Sequence, residues 1–293
     1  MSVYNGADGL ADTLDSVLGQ QDCDLEFIVV NDGSADGSGE ILDGYAARDP
    51  RLHVIHQQNA GLTCSLIRGC ELARGEFIAR QDADDLSIAG RLKEQCDFLK
   101  AQPAAVLVAS TVRFVAPAGE WLFDVAPPAQ ITVDLASPHL RLPPLVGTCF
   151  RRDAYLRVGG FRSTFAVAQD GDLWLRLLEA GVCSGLGKVH YQTTLTSGGI
   201  SSQRRGEQLR LAALALQCAR QRRLGQDDAA LLAAYSPILA PRNVTRGREQ
   251  AAFHYFIGSC LRAHDPMAAQ RYFELALRDN PFHLKALVRR LLS

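Results

Sequence analysis

Along the first half of the chain, apolar positions recur in two alternating rhythms. Leu10, Leu14, Val17 and Leu18 fall at i, i+4, i+7 and i+8, which predicts an amphipathic helix over about residues 8–19. Leu25 to Val30 is instead a short apolar run stopped by Asn31-Asp32-Gly33-Ser34, as expected of a buried strand entering a turn. Further helices are expected near 37–47, 61–73 and 87–101, and further strands near 52–57, 76–80 and 106–109. Such βαβ alternation predicts an α/β fold, a mostly parallel sheet with helices on both faces.

From about 111 to 150 the rhythm breaks at Pro117, Pro127, Pro128, Pro138, Pro143 and Pro144, so strands and loops bordering a site are expected there. Helical spacing resumes near 151–158 and 170–180, where Leu173, Trp174, Leu177 and Leu178 mark a buried stripe. Residues 203–293 read as helices alone. Ala268 to Leu277, followed by Asn280-Pro281, has the small, large and terminating positions of a tetratricopeptide second helix. One such unit cannot build a solenoid, so a helical hairpin packed on the body is expected. The organisation read from the pattern is an α/β domain over 1–202 and a helical extension over 203–293.

Composition changes this picture little: 47% hydrophobic and 22% charged residues suit a folded globular chain. No stretch approaches the roughly 18 uninterrupted apolar residues of a membrane-spanning helix. Eight scattered cysteines without a C-x-x-C pair exclude the common zinc patterns and fit reduced thiols in a cytoplasm. Charge is more informative, because the net −1 divides into −9 over residues 1–203 and +8 over 204–293. The basic residues are not interleaved with aromatics, so nucleic acid is not an expected partner. Solvated Arg-rich helix faces are the favoured reading of the basic tail. Peripheral contact with the anionic inner face of a membrane, through Lys285, Arg289 and Arg290, is the alternative.

Candidate chemistry gathers where strands end, the usual ligand edge of an open parallel sheet. Asn31-Asp32-Gly33-Ser34 leads through Asp36 into a helix, and Asp82-Ala83-Asp84-Asp85 follows the strand at 76–80. If that strand continues, Asp82 and Asp84 point the same way. Two carboxylates so placed repel unless a cation lies between them, and Mg²⁺ or Mn²⁺ completing its shell with phosphates is the natural partner. The plainer readings are helix N-capping by Asp85 or Ser87 and a turn-stabilising role for Asp32.

Taken together and in order, these segments closely resemble the family 2 glycosyltransferases, inverting enzymes of GT-A fold. The matching stretches are Val3-Tyr4-Asn5-Gly6, Ile28 to Ser38, Asn59 to Leu62, Ala73 to Asp85, and Val158 to Arg162 ahead of Gln169 to Arg176. They cover roughly residues 1–200. The resemblance implies a Rossmann-like sheet of the nucleotide-diphospho-sugar transferase type. It implies that Asp32 accepts a hydrogen bond from a nucleotide base, usually uracil, near Val3 and Tyr4. The family's Asp-x-Asp motif falls on Asp82 and Asp84, whose ion would bridge to the donor diphosphate. Asp170 matches the catalytic base, which takes the acceptor hydroxyl's proton as nucleoside diphosphate departs. Arg80 or Arg68 could support that departing charge, an ion pair being the plainer role for each. Asp172 is a second candidate base, and the plainer reading of Asp170 is a carboxylate on a helix dipole. Trp174 reads as a buried helix residue rather than a sugar platform.

The implied partners are a nucleotide-sugar donor, a UDP-sugar first, and a glycan, lipid-linked or other hydroxyl acceptor in polysaccharide or cell-surface glycan biosynthesis. The expected location is cytoplasmic, with peripheral membrane contact as its variant. Several positions depart from the family. Gln169 precedes Asp170 where Glu is usual, Asn31 replaces an Asp, Ile67 an Asn and Ser2 a Pro, and Tyr191 to Ser201 lacks a late histidine. His190 lies close by and is expected in a structural role. Met1 falls where an internal methionine would stand, so the chain is expected to be a truncated or mis-started version of a longer protein, lacking the family's first strand, which would lie between those at 25–30 and 76–81. A non-catalytic transferase-like scaffold or nucleotide-sugar-binding module is the alternative function. Nucleotidyltransferases and dinucleotide oxidoreductases are disfavoured, because neither an Arg- and Lys-bearing glycine loop nor G-x-G-x-x-G follows a first strand.

Overall fold

The structure, a computed structural model, describes residues 1–140, 142–144, 146–197, 204–235 and 246–292. Its first layer is a parallel sheet of β1 (Ser2–Val3), β2 (Phe27–Asp32) and β3 (Leu52–Gln57), in that order. Strand alternation divides β2 between two faces. Phe27 and Val29 join Leu10, Leu14, Val17 and Leu42 from α1 (Ala7–Leu18) and α2 (Ser38–Ala46). Ile28 and Val30 lie instead against Gly69 of α3 (Leu62–Leu72), so helices cover both faces as the pattern requires. Leu10 and Leu14 are wholly buried, and each contributes roughly 1.5–3 kcal/mol by leaving water.

The second sheet runs β4 (Phe77–Ala79), β9 (Cys149–Arg151), β6 (Ala105–Val115), β10 (Val182–Thr194) and β5 (Leu86–Ser87). On its flanks β7 (Trp121–Val125) pairs β6, and β8 (Gln130–Ile131) pairs β10. Its longest ladder, β6 on β10, is parallel and interrupted by irregularities near Val182, Leu186 and Val189; the short pairings are antiparallel. The apolar pattern shows β6 only as far as Ala109, because Ser110, Thr111 and Arg113 interrupt it, although the first two are buried. β10 carries Gly185, Gly187 and Lys188, which dilute its signal. α4 (Arg91–Ala101), α5 (Arg152–Arg157) and α6 (Gln169–Ala180) pack on this sheet.

β2 and β4 do not pair. Between them the expected central strand is represented by Ser2–Val3 alone, extended by Met1, whose amine donates to Ile28 O at 2.9 Å and whose carbonyl accepts from Val30 N at 2.9 Å. Burial holds that amine down to a pKa of about 6. A cavity of about 170 Å³ opens beside it, walled by Ile28, Leu66, Cys70, Phe77 and Ile78 among others; Asp82, Asp84 and Asp170 do not line it.

The remaining elements are helical. α7 (Arg205–Arg223) lays Leu211, Leu214, Ala215 and Cys218 on Leu175 of α6, and α8 (Ala229–Ala234) follows. α9 (Arg246–Leu261) and α10 (Pro266–Asp279) pack on each other and are seated through Ile257, Leu261, Tyr272 and Phe273 on Ala116 and on Leu122 of β7. Asp265 caps α10 by accepting from Ala268 N at 2.9 Å, with Pro266 behind it. α11 (Leu284–Leu292) ends the described chain. The expected 202/203 boundary and Ile200–Ser201 lie outside the described residues. No helix among the described residues is long and apolar enough to cross a membrane, and all eight cysteines are free.

Candidate active site

The carboxyl end of β2 is tied to the loop that follows β3. Gly33 has φ 76°, and a Cβ there would stand 2.7 Å from Asn59 N, so the close approach requires glycine. Asp32, 1% exposed, accepts from Gln57 Nε2 at 2.7 Å, Ala60 N at 2.8 Å and Gly61 N at 2.8 Å. Three of a carboxylate's roughly four acceptor sites are thereby used on the loop, leaving about one for a ligand. Among the described residues Arg68 forms no ion pair; it donates to Gln57 Oε1 at 2.8 Å and steadies the group that holds Asp32. Val3 is wholly buried in the core, so its side chain offers nothing to a nucleotide, whereas Tyr4 is 57% exposed beside it.

The acidic loop does not continue β4. Strand geometry stops at Ala79, and Asp84 adopts φ 71° in the left-handed region, so the period-2 argument for Asp82 and Asp84 does not apply. That conformation costs a non-glycine residue on the order of 1 kcal/mol, which Asp tolerates better than most. Gly6 and Gly9 border the Asp84 carboxylate: a Cβ on either would fall 3.8–3.9 Å from its Oδ1. Loss of surrounding water raises the Asp84 pKa, and the charges of Asp8 and Asp82 raise it further.

Beneath the loop lies a buried polar platform. Arg91, 1% exposed, donates to Gln81 Oε1 at 2.9 Å, Ser87 Oγ at 2.6 Å and the Arg80 carbonyl, and its guanidinium sits 4.8 Å over the Tyr191 ring. Tyr191 OH accepts from Asp82 N at 3.0 Å, and Gln81 Nε2 donates to Asp85 O at 2.8 Å. The capping reading of Asp85 and Ser87 fails, because α4 starts at Arg91 behind Gly90 without a side-chain cap. Asp85, 6% exposed, belongs to the platform, and burial followed by the charge of Asp82 pushes it up to about 7. Sequence reasoning missed Arg91 and Tyr191. The available signal was an Arg91–Gln95 pair one helical turn apart beside apolar Leu92 and Leu99. Arg91→Met is expected to destabilise the fold by about 3 kcal/mol or more, through the acceptors it strands. A thermal midpoint matching the wild type would contradict this.

Above the platform, Arg80 joins the two acidic segments. Its side chain is 7% exposed; Nη2 donates to Asp82 Oδ1 at 2.6 Å, and Nη1 donates to Asp170 Oδ2. Asp170 is the second residue of α6 and also receives Gln169 Nε2 at 3.3 Å. Burial lifts it to about 6 against the pull of Arg80, with Asp82 adding to the rise. That value suits a base working near neutrality. Asp172, wholly buried, is spent on Arg176 and lies 3.7 Å from Arg162, so it is not the candidate base. Trp174 is 2% exposed in the core, and His190 is held between Ser110 Oγ and Glu94 Oε2, each at 3.2 Å, in the structural role expected.

Asp82, Asp84 and Asp170 against Arg80 leave a net charge of −2 when all are ionised. A divalent cation would balance it. Among the described residues no group of three or more His, Cys, Asp or Glu side chains could hold a metal alone. Asp82 and Asp84 fit a hard ion that takes its other ligands from phosphate and water, as Mg²⁺ and Mn²⁺ do.

A profile of glycosyl transferase family 2 matches residues 1–155, more than half of the chain. The chain belongs to glycosyl transferase family 2. This family 2 member is 46% identical to the uncharacterized glycosyltransferase EpsJ of Bacillus subtilis (strain 168) over 83 residues, 28% of the chain and 24% of that protein. It is 28% identical to the hyaluronan synthase of Pasteurella multocida over 212 residues, 70% of the chain but 21% of that protein. The chain thus spans about a quarter of the length of EpsJ and less of the synthase. The mannosyltransferase PcManGT from Pyrobaculum calidifontis, solved with GDP-Man and Mn²⁺, superposes with a TM-score of 0.56 at 18% identity, over 98% of the chain and 76% of that one. At that identity the likeness speaks for fold, and it bears out the GT-A architecture. Asp32, Arg80, Asp82 and Asp84 fall inside the matched span and Asp170 beyond it.

Proposed function

We propose that this chain is an inverting, metal-dependent glycosyltransferase. It moves a sugar from a UDP-sugar to a hydroxyl of a glycan, lipid-linked or other glycoconjugate acceptor, in assembly of a polysaccharide or cell-surface glycan. The observation that carries the reading is the Arg80 bridge, which puts the candidate base Asp170 and the candidate metal ligand Asp82 on one guanidinium. The acceptor O–H proton passes to Asp170 as the acceptor oxygen bonds the anomeric carbon on the face opposite the leaving group. The bond from that carbon to the diphosphate oxygen breaks, and its electron pair leaves with the nucleoside diphosphate. Asp82 and Asp84 would hold Mg²⁺ or Mn²⁺, which when bound supplies Lewis-acid stabilisation of the leaving phosphate. Arg80 orients both carboxylates and adds a fixed positive charge beside that oxygen. Tyr4 and the remaining acceptor site of Asp32 would meet the nucleotide base. Eight free thiols support work in the reducing cytoplasm.

The neighbour solved with GDP-Man and Mn²⁺ supports cation use and makes GDP-sugars the informative control. The test is a screen of UDP-, GDP- and dTDP-sugars with Mn²⁺, reading nucleotide release and the anomeric configuration of the product by NMR. We expect release from a UDP-sugar, a product of inverted configuration, and loss of release with EDTA. No release from any donor, together with no Mn²⁺-assisted UDP binding, would favour the scaffold reading.

A further inference from the structure

We infer that the outer face of the last helix is a docking surface for anionic lipid. The proposal is independent of the transfer chemistry. α11 packs inward through Ala286, which is wholly buried, and turns Leu284, Leu287 and Val288 the other way. Leu284 is 73% exposed, Leu287 40% and Val288 53%. At roughly 100° per residue these three positions form one narrow stripe opposite Ala286. Phe282, 87% exposed, stands at the head of the stripe. A helix that packs by its one small residue and shows water Leu284, Leu287 and Val288 is inverted relative to an ordinary surface helix.

Charge decides what covers the stripe. Lys285 and Arg290, both exposed, flank it on either side in helical projection, and Arg289 lies beside Tyr255 next to them. No Asp or Glu follows Asp279, and Asp279 is itself held by His254 Nδ1 at 2.7 Å. An apolar stripe bordered by cations on both edges, with no acidic residue on its own helix, is complementary to acyl chains beneath anionic headgroups. The apolar side chains enter the interface while Lys and Arg reach the phosphates. A second copy of this helix would set cations against cations, with no acidic counterparts on the stripe's own helix. The helical extension would thereby hold the transferase body at a membrane surface without crossing it.

The test is flotation of the full chain with vesicles of phosphatidylcholine, with and without phosphatidylglycerol, at low and high salt. We expect the chain to float with the anionic vesicles at low salt and to be released by high salt. Leu287→Glu/Val288→Glu and Lys285→Glu/Arg290→Glu each alter only exposed side chains. Both should reduce vesicle binding by at least about tenfold while leaving donor hydrolysis and the thermal midpoint at wild-type values. Failure of the wild-type chain to float with anionic vesicles would overturn the assignment, as would undiminished flotation of either double variant. Light scattering supplies an independent check. A dimer that Leu287→Glu/Val288→Glu converts to a monomer would show that the stripe serves self-association and would overturn the lipid reading.

Discussion

Asp170→Asn is expected to lower kcat by about 10²–10⁴-fold, with little change in KM for the donor, because it removes the proton acceptor and leaves the donor site intact. The folded structure should survive, since asparagine keeps the shape that Arg80 and Gln169 hold. In the wild-type enzyme kcat/KM should rise with pH through about 6, where buried Asp170 gives up its proton, and the variant should lose that limb. Stability moves the opposite way. The folded pKa of Asp170 lies above its unfolded value of about 3.9, so the protonated group favours the folded state. That contribution is fully present below about pH 4 and is lost as pH rises through about 6. The thermal midpoint of Asp170→Asn should therefore fall less than that of the wild type across this window. A variant retaining more than about a tenth of wild-type kcat would remove Asp170 from the role of base.

The second large effect belongs to Asp84. Asp84→Asn is the informative change, since asparagine tolerates the left-handed φ of 71° as aspartate does while the charge is removed. The change takes the ionised site from −2 to −1, and activity is expected to fall by about 10²-fold or more with the Mn²⁺ requirement shifted to higher concentration. Relief from Asp8 and Asp82 should leave stability unchanged or improved. Asp82 is a less clean target, because its removal also frees half of the Arg80 guanidinium. Unaltered Mn²⁺ dependence in Asp84→Asn would exclude this carboxylate as a ligand.

Much of this was legible in the sequence for a physical reason. Periodic burial produced α1, β2, β3 and α3 at nearly their observed bounds: α1 and α3 each turn one apolar face to a core, on opposite sides of β2, which is apolar on both faces. β10 escaped because its glycines and Lys188 leave no clean alternation, and its long pairing with β6 depends on partners far away in the chain. At the site, residue types pointed to Asp82 and Asp84 and the family resemblance to Asp170, yet the local geometry had to be seen. The turn at Asp84 replaces the strand that period-2 reasoning assumed, and it is supported by Arg91 from the next helix and by Tyr191 from a strand distant in sequence. Arg80 was noticed as one of two arginines beside the motifs. Its double bridge becomes visible only when residue 170 is folded against residue 82. Asp32 shows the reverse lesson: a residue read for the nucleotide spends most of its acceptor capacity on the 57–61 loop.

The central claim is that Asp82 and Asp84 clasp a divalent ion together with the donor's diphosphate. Calorimetric titration of UDP into the full chain, with and without saturating Mn²⁺ and repeated on Asp84→Asn, tests it most directly. The account predicts that Mn²⁺ tightens UDP binding at least about tenfold in the wild type, that UDP tightens Mn²⁺ by the same factor, and that the coupling vanishes in the variant. Equal UDP affinity with and without Mn²⁺ in the wild-type chain would contradict it.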